Sequence, residues 1–184
     1  MLKYLKIVAQ VVAIPAFVIA LWNFIYPMTA QTKIALVPER QVQLMQDTID
    51  GKSMTAFNIL STILATGPAQ RWETVRFNSA TIRVPDGRTI NFSCRAYLTE
   101  IGRGQQNQSR NIPIAIKGGE SMTITSAYQS DELPSWILGE YNFTINAIDS
   151  KGRTVTFPSF KITLSQHDLD IINKPLSIYM KEIQ

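Results

Sequence analysis

The chain has 184 residues, with 18 Lys and Arg against 14 Asp and Glu, a net charge of +4 and a pI of about 9.3. Lys3 and Lys6 supply part of that excess, so the body is too weakly basic for the stripe a nucleic acid would need, and no nucleic-acid partner is expected. The single cysteine, Cys94, excludes an intramolecular disulfide and a cysteine-built zinc site.

The first element is Ile7 to Tyr26, IVAQVVAIPAFVIALWNFIY, which carries no charge. At about 1.5 Å per residue, about 20 apolar residues span the ~30 Å hydrocarbon core of a bilayer. Lys3 and Lys6 precede it, and Tyr4, Trp22 and Tyr26 stand where an aromatic belt would. The run is longer than a signal-peptide core of about 7–15 residues, and cleavage after Ala30 would place an unsuitable Met28 at the −3 position. Residues 1–28 are therefore expected to form a cytoplasmic stub and a retained, single-pass transmembrane helix, with the bilayer as first partner. Pro15 removes a backbone donor within it and favours a kink. Ala9, Ala13, Ala16, Ala20 and Asn23 recur at heptad spacing. Small side chains let two membrane helices approach, and an Asn can hydrogen-bond across the seam. This is the expected association face, for a second copy or for another membrane protein. Lys3 and Lys6 on one side nearly balance Lys33 and Arg40 on the other. The free amino terminus tips the balance towards an extracytoplasmic domain.

Residues 29–32 read as a juxtamembrane linker and 33–164 as strands. Ile34 to Val37 is an apolar run that Pro38 should stop, and Gln41 to Gln46 alternates after it. Asp50-Gly51 marks a turn. Met54 to Ala65 fits a strand through Phe57, Ile59 and Ile63, and a helix through Phe57, Leu60 and Leu64. The Gly67-Pro68 stop and the neighbouring strands favour the strand. Ala80, Ile82 and Val84 alternate with polar residues, Pro85-Asp86-Gly87 turns the chain, and Ile90, Phe92, Cys94, Ala96 and Leu98 form the returning buried face. Tyr97 falls on the wet face in that register, and Cys94 reads as a small core residue. Glu100 to Asn111 reads as the longest loop, with Arg103, Gln105, Gln106, Asn107 and Arg110 as a candidate binding loop. Its Gly102-Arg103-Gly104 lacks the Lys-Ser/Thr pair of a phosphate loop, so no cofactor is expected. Further strands follow at Ile112 to Ile116, Met122 to Ile124, Tyr141 to Ala147 and Phe160 to Leu164, with Tyr128 to Trp136 as a connector. In the tail, 165–184, Ser165 and Asp168 suit the capping of a short helix.

Many short strands without a long amphipathic helix predict an all-β fold: an antiparallel immunoglobulin-like β-sandwich preceded by one N-terminal transmembrane α-helix. The run Gly139-Glu140-Tyr141-Asn142-Phe143-Thr144-Ile145, with Ala147, Asp149 and Gly152, resembles the last hairpin of immunoglobulin-like and fibronectin-like domains. The layout resembles uncharacterised bacterial single-pass membrane proteins with an N-terminal anchor and such a sandwich, in which a proline-bounded strand, a Pro-Asp-Gly hairpin and a Gly-Glu-Tyr strand also follow the anchor. That resemblance implies no activity.

The chemistry of the body points the same way. His167 with Asp168 and Asp170 packs its groups too tightly at a helix start to converge on a metal, and acidic residues there complement the helix dipole. No G-x-S-x-G marks a nucleophile, and no small-molecule substrate is evident. Arg76, Arg83, Arg88 and Arg95 form the candidate face for an anionic partner, either lipid headgroups or an acidic protein. The expected function is a non-catalytic, membrane-anchored binding module. The alternatives are an accessory subunit of a membrane complex with a cytoplasmic domain, and a hydrolase with an unrecognised site.

Overall fold

The computed structural model describes residues 2–49, 51–101, 105–109, 112–174 and 177–184, with the side chains at 2–13, 27, 28, 47, 49, 99–101 and 105–109 outside the description. Helix α1 runs unbroken from Leu2 to Thr29, through Pro15. Among the described residues no helix is long and apolar enough to cross a membrane. The described side chains of α1 begin at Ile14, and the apolar stretch from there to Tyr26 is shorter than the about 20 residues a crossing takes.

After residue 32 the described residues form mostly antiparallel strands: β1 (Lys33–Ile49), β2 (Lys52–Thr66), β3 (Trp72–Arg83), β4 (Thr89–Ile101), β5 (Gln105–Ser109), β6 (Ile114–Lys117), β7 (Ser121–Ser130), β8 (Gly139–Asp149), β9 (Thr154–Thr156), β10 (Phe160–Leu164) and β11 (Ile178–Glu182). Hydrogen-bonded neighbours run β10-β8-β3-β4-β7-β2-β1-β11, with β5 beside β4, β6 beside β3 and β9 beside β8. Strand β4 belongs to both layers. Its first half, Thr89 to Ser93, pairs with β3, and its second half, from Ser93 to Thr99, pairs with β7. The sheet thus folds over on itself into a sandwich. Phe57 on β2 meets Phe143 on β8 edge to face at 5.1 Å across the interior.

The far side is closed by the tail. Strand β11 pairs with β1, and the chain then crosses over, so that Gln184 N–H donates to Lys161 O at 2.9 Å and Ile183 N–H to Arg40 O at 2.7 Å. Two otherwise open edges, β1 and β10, are covered by one segment. The helix α2 (Gln166–Ile172) starts on the expected cap, with Asp168 N–H reaching Ser165 Oγ and Ser165 N–H reaching the Asp168 carboxylate at 2.7 Å.

The strand reading of Met54 to Ala65 holds. Phe57, Ile59 and Ile63 point inward with Ser61, while Leu60 is 40% exposed on the outer face, where a helix would have buried it. Several expectations give way. Pro38 does not stop β1. Pairing with β2 continues past it through a bulge between Pro38 and Val42, which takes up the missing N–H without ending the strand. A second bulge, between Cys94 and Ala96, inverts the alternation, so Tyr97 is buried and Ala96 and Leu98 turn outward. Glu100 to Asn111 is not a plain loop, because β5 lies inside it. Cys94 is buried as expected, and burial raises its thiol pKa to about 11. Tyr128 and Trp136, read as connector, are both core residues, Tyr128 within β7.

Candidate functional site

The end of the sandwich farthest from α1 holds a cleft. Arg83 on β3 faces Asn142 on β8, and Asn142 faces Lys161 on β10, in one cross-strand row. Their neighbours Ile82, Tyr141, Phe143, Phe160 and Ile162 are buried, so strand alternation turns the row outward. With Pro85, Gly87, Gly139 and Glu140 these residues line an open cavity of about 450 Å³.

Local sequence explains the shape. In the Pro85-Asp86-Gly87 turn, Gly87 takes φ +87° and its N–H donates to Val84 O at 2.9 Å. Asp86 fastens the turn by accepting from Arg88 N–H at 3.0 Å and from Arg88 Nε at 2.7 Å. The Arg88 backbone N–H, and then its guanidinium, hold the Asp86 carboxyl below the usual carboxylate range. Gly139 lets β8 begin directly against this turn, since its φ is +127° and a Cβ there would lie 2.7 Å from Pro85 Cβ. Gly139→Ala is therefore expected to cost about 1–3 kcal/mol in urea denaturation, through overpacking and an unfavourable φ.

Electrostatically the row is cationic. Lys161 Nζ lies 2.7 Å from Glu140 Oε1, but both side chains are half exposed, so the pair is weak and easily exchanged. Arg83 forms no ion pair among the described residues. Between the cations, Asn142 Oδ1 is buried and accepts no hydrogen bond among the described residues. The guanidinium and the ammonium, with the Asn142 amide N–H₂ as a further donor, can receive a carboxylate or phosphate, and the guanidinium is capable of a two-pronged contact; the buried Asn142 Oδ1, itself an acceptor, takes no part.

The other arginines are dispersed. Arg88 is committed to Asp86. Arg95, at the β4 bulge, donates from Nε at 3.1 Å and from a terminal nitrogen at 2.8 Å to Gln129 once that amide is oriented with its oxygen towards it. It lines a separate cavity of about 200 Å³ with Asp131 and Glu132. Arg76 lies on the opposite half of β3, beside Ile148. The expected arginine face is thus one member of a cleft and three residues elsewhere. Of the candidate loop, Gln105, Gln106 and Asn107 lie in β5, paired with Ile101, Glu100 and Thr99, and Arg103 and Arg110 lie outside the described residues. On α1, Ala16, Ala20 and Asn23 are exposed, and the side chains of Ala9 and Ala13 lie outside the description. Asn142 and Lys161 were not singled out by the sequence. The Pro-Asp-Gly turn and the Gly-Glu-Tyr start were both legible, but no local pattern shows that they meet.

No protein-family model and no curated protein matches the chain. Solved structures to which it is similar include the putative ApaA protein from Bordetella pertussis, at 13% identity and TM-score 0.38, covering 74% of this chain and 96% of that one. Another is AggA, the major subunit of aggregative adherence fimbriae type I from Escherichia coli, at 11% identity and TM-score 0.35, covering 74% and 95%. At such scores neither bears on the site or its partner.

Proposed function

We propose that this chain is a single-pass membrane protein whose immunoglobulin-like sandwich is a non-catalytic binding module held on the extracytoplasmic side. The observation that carries this reading is continuity: the charge-free run Ile7 to Tyr26 lies within one helix, and residues 30–32 lead directly into β1. The immunoglobulin-like assignment is supported by strand order. Strands β1, β2, β7 and the second half of β4 stand as A, B, E and D, and β3, β8 and β10 as C, F and G. Tyr141, at the start of β8, hydrogen-bonds through its hydroxyl to Ile137 O at 2.8 Å and to Ile137 N–H at 2.7 Å, the corner such domains make at that point.

The cleft with Arg83, Asn142 and Lys161 is the binding surface of this proposal, and an acidic group on a partner protein is its ligand. Lipid headgroups of the anchoring bilayer suit it poorly. From Trp72, near the helix, to Arg83 is roughly 35 Å of strand at about 3.3 Å per residue.

Alkaline extraction of membranes from expressing cells tests the anchor, and protease treatment of intact cells tests the side. The chain is expected to stay in the membrane pellet, and the sandwich to be cleaved from outside. Release of intact chain into the alkaline supernatant would overturn the anchor, and full protection would place the domain in the cytoplasm.

A further inference from the structure

We propose that the rim of the sandwich next to α1 rests on the bilayer that holds the helix, with the Trp72 indole seated among the headgroups. The inference depends on the anchor reading above and adds a second, non-covalent attachment to it. Residues 30–32 can reach only about 10 Å when extended, so the near rim cannot stand far from the end of α1.

Trp72 has a fixed place on that rim. The linker residue Thr32 lies against Gly67, where an added Cβ would come within 2.9 Å of Thr32 Cα. The β2–β3 loop then packs under Gly118, whose own added Cβ would be 2.3 Å from Pro68 O. Gly118 N–H donates to Arg71 O at 2.8 Å, and Trp72 pairs in register with Lys117. Linker, loop and β6–β7 turn thus form one tight stack with Trp72 at its edge.

Trp72 is 62% exposed, and among the described residues it is the only aromatic outside α1 with a large exposed apolar surface. An indole with an apolar body and one N–H suits the membrane–water boundary. Its surroundings suit anionic headgroups. Lys33, Lys117 and Lys151 form no ion pair among the described residues. Of the nearby carboxylates, Glu73 Oε1 accepts from Thr74 N–H and Ser150 N–H, both at 3.0 Å, and Asp149 pairs with Arg153 at 2.6 Å, while exposed Glu120 on the β6–β7 turn has no side-chain partner among the described residues and sets one free carboxylate against the three lysines.

The test uses the full chain with Cys94→Ala, in vesicles of phosphatidylcholine and phosphatidylglycerol. An environment-sensitive fluorophore is placed at Gln70→Cys on the near rim or at Asp86→Cys on the far turn. A lipid carrying a quencher in its headgroup region is expected to quench the first label several-fold more than the second. Adding Trp72→Ala should reduce quenching at position 70. Equal quenching at the two positions, or no change with Trp72→Ala, would overturn the proposal. So would a label at position 70 that is shielded from an aqueous quencher yet untouched by the lipid one, since a second protein would then cover the rim. Flotation of the same vesicles reads the anchor separately: a chain that does not float removes the anchor and this contact together, whereas one that floats with a wet rim removes only the contact.

Discussion

Trp136→Ala is expected to lower the unfolding free energy by about 4 kcal/mol, the usual range for truncating a buried aromatic of this size. For a domain of this length that is a fall in Tm of about 10 °C. The effect is large because of where Trp136 sits. It leaves the segment between β7 and β8 and fills the distal end of the interior, within ring contact of Phe92 at 6.2 Å, Tyr141 at 5.3 Å and Phe143 at 6.5 Å. Its Nε1–H donates to Met45 O at 2.9 Å, tying the segment to β1 in the other layer. Trp136→Phe keeps much of the packing but leaves that carbonyl without its donor, so a loss of about 1–2 kcal/mol should remain. Tyr141→Phe removes the hydroxyl that both accepts from Ile137 N–H and donates to Ile137 O, with a similar cost. Because the two rings touch, the double variant should fall short of the sum or exceed it. Urea denaturation of wild type, Trp136→Phe, Tyr141→Phe and their double variant measures the coupling. A Trp136→Ala cost below about 1 kcal/mol would mean that the interior closes over the gap and that Trp136 is no plug.

The strands were legible where alternation ran undisturbed, as from Ala80 to Val84 and from Tyr141 to Ala147, because one buried face and one wet face leave a period of two in the residue types. They were illegible where a bulge moved the period. Tyr97 looked solvated because it follows Arg95 by two positions. The extra residue between Cys94 and Ala96 reverses that parity, and no residue there announces it, since a bulge of this kind needs no glycine. Trp136 was lost in a polar-looking segment because its burial depends on β1, far away in sequence. The candidate site shows the same limit more sharply. Arg83 could be placed on a wet face from its own strand, but its companions Asn142 and Lys161 come from β8 and β10, and long-range pairing leaves no local trace. Ser61 and Ser126, buried polar residues on the inner face, also break the apolar rhythm of β2 and β7.

Asp168→Asn is expected to cost about 3 kcal/mol near neutral pH, because it leaves a half-buried ammonium without its counter-charge. The carboxylate is the knot that holds the tail. It accepts from Ser165 N–H at 2.7 Å, from the Tyr179 hydroxyl, and from Lys181 Nζ at 2.7 Å, the last pair with side chains 5% and 23% exposed. One side chain therefore caps α2 and ties it to β11, the strand that covers the β1 edge. Burial alone would raise its pKa, but the Lys181 ammonium, the Ser165 N–H and the Tyr179 hydroxyl outweigh burial and hold it well below the ordinary carboxylate range. The sign of the pH dependence follows. With the folded value below the unfolded one, near 4, the stabilisation is complete above about pH 4 and is lost as the pH falls towards the folded value. Wild type and Asp168→Asn should therefore differ most above pH 5 and converge in acid. Lys181→Met should be milder, because the remaining carboxylate keeps its Ser165 and Tyr179 hydrogen bonds. Amide hydrogen exchange locates the effect. In Asp168→Asn the amides of Ile178 to Glu182 should exchange sooner than those of β3 and β8, since the tail opens before the sandwich. Uniform acceleration over all strands would show instead that the tail and the sandwich unfold as one unit, with β11 as essential to the body as any inner strand.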